Sequence, residues 1–64
     1  MQKLTVGQTV DISFEGEVNP VKVIGIGYFD NKIDHYEVMV DPETDDAFYA
    51  ELYLEDYGSW EVSQ

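Results

Sequence analysis

Thr44-Asp45-Asp46-Ala47-Phe48-Tyr49-Ala50-Glu51-Leu52-Tyr53-Leu54-Glu55-Asp56-Tyr57 is the stretch on which the fold turns. Read with period two, Phe48, Ala50, Leu52 and Leu54 face one way and Tyr49, Glu51, Tyr53 and Glu55 the other, as in a half-buried strand. Read with helical period, Thr44 is an N-cap and Asp45 and Asp46 fill a first turn, where carboxylates suit the dipole. Ala47, Ala50, Leu54 and Tyr57 then share a stripe, and Gly58 follows as the C′ residue. Two features oppose the helix. Glu55 and Asp56 would lie at its negative end, and three Tyr and one Phe lower its propensity. The strand reading is preferred, running through Ala50 and passing into a single 3-10 turn across Leu52–Asp56. It makes the protein all-β, whereas a helix over 44–57 packed on a small antiparallel sheet would make it α+β.

Upstream, Asp41-Pro42-Glu43-Thr44 has the composition of a type I turn, with Pro at the position whose φ it presets. Before it, Asp34 to Val40 alternates, with Tyr36, Val38 and Val40 inward and His35, Glu37 and Met39 outward. Phe29-Asp30-Asn31-Lys32 is a polar turn. Val21 to Tyr28 is a β-branched strand broken by Gly25 and Gly27, which mark bulges or a sharp bend in a coiled sheet. Asn19-Pro20 introduces that strand, because Pro holds the residue before it extended. Glu15-Gly16-Glu17 turns the chain, and in Thr9–Phe14 the side chains of Val10, Ile12 and Phe14 share a face. Downstream, Gly58–Val62 supplies a short last strand with Trp60 and Val62 on one side.

Five short strands, a bent second strand and a 3-10 turn before the last resemble the SH3-like small barrel. The opening Val6-Gly7-Gln8-Thr9-Val10 and the hairpin from Tyr36–Val40 to Ala47–Glu51 are similar to its bacterial and phage variety. The Ala-Leu-Tyr-Asp-Tyr opening of peptide-binding SH3 domains is absent, and Leu54-Glu55-Asp56-Tyr57 lies at the wrong end to replace it. The proline-rich peptide groove of that family is therefore not carried over.

At 64 residues the chain is one domain near the lower limit for independent folding, and without Cys it relies on apolar packing. Met1-Gln2-Lys3-Leu4-Thr5 has no apolar run of signal-peptide type, and no transmembrane stretch is present. The chain reads as a complete small cytoplasmic protein, in the host cytoplasm if phage-encoded.

Charge is one-sided. Residues 1–32 hold four acids against Lys3, Lys22 and Lys32, while 33–64 hold ten acids and no Lys or Arg. The halves thus carry −1 and −10 of the net −11. Such a field favours basic partners and repels nucleic acid and anionic membranes.

Catalysis and cofactors find little support. Asp41-x-Glu43-x-Asp45-Asp46 offers oxygen ligands at alternate positions, but an EF-hand loop counted from Asp41 needs Gly at Asp46 and Glu at Leu52. His35, flanked by Asp34 and Tyr36, could tune a pH response. Its only hydroxyl companions of nucleophile type are Ser13, Ser59 and Ser63, and a barrel this small has little room for a triad and a cleft. Gly25-x-Gly27 lacks the third Gly of a dinucleotide motif. No enzyme, cofactor or metal site is expected.

The expected role is a non-catalytic protein-binding module whose acidic face docks on a basic surface, in its sharpest form a phage-type DNA-mimic inhibitor of a host nucleic-acid-binding or defence protein. The charges are Asp41, Glu43, Asp45, Asp46, Glu51, Glu55 and Asp56, and the apolar anchors Tyr49, Tyr53 and Trp60. Alternatives are an adaptor barrel that takes a Lys/Arg-bearing peptide in an aromatic–acidic pocket, and a structural assembly subunit.

Overall fold

A computed structural model of the chain describes residues 3–63. Five strands run antiparallel in one sheet, ordered β4-β3-β2-β1-β5. They are β1 (Thr9–Phe14), β2 (Glu17–Phe29), β3 (Lys32–Val40), β4 (Phe48–Tyr53) and β5 (Trp60–Ser63), with one 3-10 turn at Leu54–Asp56. The protein is all-β: among the described residues there is no α-helix, and no helix long and apolar enough to cross a membrane.

The helical reading of 44–57 is excluded, because Phe48–Tyr53 pairs along β3 from Val40↔Phe48 to His35↔Tyr53. The strand runs three residues beyond Ala50, and the 3-10 turn shrinks to Leu54–Asp56. Tertiary contacts account for the extension. Tyr53 lies opposite His35, and its carbonyl accepts the Trp60 Nε1–H at 2.8 Å.

β2 begins at Glu17, four residues earlier than Val21, so Asn19-Pro20 lies inside it. Pro20 is tolerated because its carbonyl, accepting from Asp41 N at 2.9 Å, marks the end of the β2–β3 ladder. Its missing N–H faces the same side, where no further pair forms. The two tight hairpin turns, Glu15-Gly16 and Asp30-Asn31, have positive φ at both residues (52° and 83°, 52° and 64°), matching the twist of the strands they join. The longer 41–47 loop makes two successive turns, closed by Thr44 N to Asp41 O at 3.2 Å and Ala47 N to Thr44 O at 3.3 Å. Asp41 enters it with φ 51°.

The core consists of Leu4, Val10, Ile12, Val21, Val23, Tyr36, Val38 and Trp60. Complete burial of an aliphatic side chain of this kind stabilises by roughly 1.5–3 kcal/mol. Leu4 joins from the lead-in segment, its N–H donating to Tyr36 Oη at 3.2 Å. The Val6-Gly7-Gln8 opening holds this segment in place: Gly7 N donates to Val23 O at 2.8 Å and Val23 N to Gln8 O at 2.9 Å. Two bulges then shape the sheet. Ile24 is the extra residue between Val23↔Val38 and Gly25↔Glu37, so Gly25 and Gly27 turn to the outer face while Ile26 turns in. Asp34 is the extra residue between Gly27↔His35 and Tyr28↔Ile33.

Candidate partner-binding edge

β4 is an edge strand, and its two faces differ. On the outer face Tyr49, Glu51 and Tyr53 form the row expected from alternation, about 6.6–6.8 Å per step. Tyr49 Oη donates to Glu51 Oε2 and Tyr53 Oη to Glu51 Oε1, both at 2.8 Å. These bonds, Tyr53's first and then Tyr49's, hold the Glu51 carboxyl below its ordinary range. In return, the bond to Glu51 pushes Tyr49 up to about 12 and raises Tyr53. Glu55 does not continue the row, because the 3-10 turn starts at Leu54 and breaks the alternation.

Register places Met39, Glu37 and His35 of β3 opposite Tyr49, Glu51 and Tyr53. Two carboxylates, Glu37 and Glu51, therefore face each other directly, an arrangement that destabilises a sheet. Among the described residues, the ion pairs that form are those of His35, with Asp34 at 2.8 Å and Glu37 at 3.6 Å; no lysine joins one. The bond to Asp34 raises the His35 pKa, with smaller contributions from Glu51 and Glu37 against a lowering by burial. The ring also stacks on Tyr53, centroids 4.8 Å apart. Adjacent strand residues normally point to opposite faces, and the bulge at Asp34 is what lets its carboxylate reach the neighbouring imidazole. Among the described residues His35 bonds no serine.

The remaining acids lie at the two ends of β4. Glu43, Asp45 and Asp46 are exposed in the loop before it, and Glu55 and Asp56 are exposed in the turn after it. Asp41 is half-buried. One anchor is misplaced by the sequence reading: Trp60 is 3% exposed and belongs to the core. Its indole is fixed by the Tyr53 carbonyl and by an edge-on contact with Tyr57, so it is no free surface anchor.

The inner face of β4 borders an open groove of about 530 Å³, where Ile12, Phe14, Val40, Phe48, Leu52 and Trp60 meet, with Glu51 and Asp56 at the rim. Phe14 and Phe48, grouped by alternation with Ile12 and with Leu52, are half-exposed because β4 and β5 do not pair and leave the sheet open between them. Alternation had already placed His35 and Glu37 outward; what was missing was the β3–β4 register that sets them against Tyr53 and Glu51. No family model matches the chain, and neither curated proteins nor solved structures show a match, so the edge is read from its own geometry.

Proposed function

We propose that the protein is a non-catalytic binding module of the SH3-like barrel type whose acidic β4 edge docks on a basic protein surface. One observation carries this reading: Glu51 is preset by two tyrosine hydroxyls, faces Glu37 and, among the described residues, has no lysine paired to it. Each Glu51 oxygen accepts one bond from tyrosine and keeps a second acceptor site, so the carboxylate can still take a forked arginine. The flanking Tyr49 and Tyr53 rings add faces for cation–π contact. Ordering cost is low because the acceptor is held before the partner arrives.

The sharper reading, a DNA-mimic inhibitor acting in a host cytoplasm, is favoured by the spread of acids along the edge, from Glu43 through Glu51 to Asp56. Pull-down from host lysate, with and without excess duplex DNA, tests both. Displacement of the captured protein by DNA supports mimicry, with a graded loss of binding as Glu43, Asp45, Asp46, Glu55 and Asp56 become amides. An abrupt loss on Tyr49→Ala or Tyr53→Ala, with amides tolerated, supports the adaptor reading. Capture unchanged between low and high salt would sink the acidic-face reading altogether.

A further inference from the structure

The outer face of β3 and β4 also gathers His35, Glu37 and Glu51, whose ligand-type atoms all lie within 4.8 Å of one another. Three observations beyond the carboxylates bear on this cluster. His35 Nε2 is buried and, with Glu37 Oε2 3.6 Å away and just beyond hydrogen-bonding distance, has no hydrogen-bond partner among the described residues. A buried polar atom left this way is costly unless something satisfies it. His35 Nδ1 stands 2.8 Å from Asp34 Oδ2, and an Nδ1–H donated there leaves the lone pair on Nε2. This is how a carboxylate orients a metal-ligating histidine, and here it depends on the bulge at Asp34.

The third observation is a cradle. A Cβ on Gly27 would lie 2.1 Å from the His35 ring, and one on Gly25 would lie 2.3 Å from Glu37 Oε1. The bulge at Ile24 turns both glycines to this face, directly opposite Glu37 and His35. The strand underneath is thus shaped to seat these two side chains.

The geometry points to a divalent cation of the Zn²⁺ class bound by His35 Nε2, Glu37 and Glu51, with Asp34 orienting the imidazole. One nitrogen and two oxygens suit Zn²⁺, whereas Ca²⁺ and Mg²⁺ take oxygen donors. A cation between Glu37 and Glu51 offsets the repulsion of the facing pair. Three protein ligands leave a coordination position for water or for a partner's side chain. The site stands whether or not the edge docks on another protein.

Calorimetric titration of the full metal-free chain with ZnCl₂, alongside long-range ¹H–¹⁵N spectra of His35, tests the site. One equivalent should bind and move the Nε2 resonance. Glu51→Gln and His35→Gln should each weaken binding at least tenfold, and Asp34→Asn by about 10–100-fold, with unchanged far-ultraviolet dichroism. The assignment is overturned if millimolar Zn²⁺ leaves the imidazole unmoved. It is equally overturned if both Gln variants bind as the wild type does, or if Ca²⁺ binds as tightly as Zn²⁺.

Discussion

The outer surfaces of the β1–β2 and β3–β4 hairpins are built from the same antiparallel geometry but handle charge in opposite ways. Across β1–β2 the outward pairs are Thr9/Lys22, Asp11/Pro20 and Ser13/Val18, and none sets one charge against another. Across β3–β4 they are His35/Tyr53, Glu37/Glu51 and Met39/Tyr49. The first surface dilutes charge, as a scaffold should. The second concentrates it, adds two bulges in the neighbouring ladder and clears two Cβ atoms from the strand below. Features that cost stability are thus gathered on one face, the face proposed above to meet a partner.

The largest test of this contrast is a pair of glycine substitutions. Gly27→Ala should destabilise by about 1–3 kcal/mol, because the new methyl overpacks the His35 ring. Gly16→Ala, in the β1–β2 turn, meets no atom within 4 Å and should cost only about 1 kcal/mol for its φ of 83°. Chemical denaturation of both, and of Gly27→Ala with His35→Ala, checks the point. The double variant should recover most of the loss; no recovery would mean that the glycine serves the backbone and not the imidazole.

A smaller effect should follow removal of one facing carboxylate. Glu37→Gln should raise the melting temperature of metal-free protein at low salt, and the gain should shrink as salt screens the wild type. Asp11→Asn, on the scaffold face, should change it less. Equal responses would erase the distinction between the two hairpins.

The smallest effect is a pH dependence confined to the β3–β4 face. His35 has a raised folded pKa, so its contribution is complete below its ordinary 6.5 and is lost as pH rises through the folded value. Glu51 has a lowered one, so its contribution is present above its ordinary 4.5 and is lost as pH falls through the folded value. Between these two ordinary values both are in place. Melting curves of metal-free wild type and His35→Gln should therefore differ most below about pH 6.5 and converge above the raised folded value.

Much of this arrangement was legible along the chain. Period-two alternation identified β3 and β4 and sorted Tyr49, Glu51 and Tyr53 from Ala50 and Leu52, and the glycines at 25 and 27 announced an irregular β2. The facing of Glu37 and Glu51 was not legible, because it depends on the register set by the 41–47 loop. A left-handed Asp41 and two consecutive turns decide that Val40 meets Phe48, and every outward pair follows from that one contact. Alternation likewise grouped Trp60 with Val62 without saying which side of the sheet they take. Leu4 lies in the irregular segment before the first strand, where no periodicity distinguishes it, buried, from the exposed Val6.

The unpaired rim of β4 has one further consequence, for self-association. An open strand edge is a template for another strand, and identical copies of a chain are always its nearest candidates. A second molecule aligned antiparallel on this rim would bring its own tyrosine–carboxylate row and acidic loop against the first, so like-charge repulsion opposes homotypic stacking, whereas the cationic partner proposed above would meet attraction. The carboxylates proposed to meet a guest would thereby also work against edge-to-edge polymerisation.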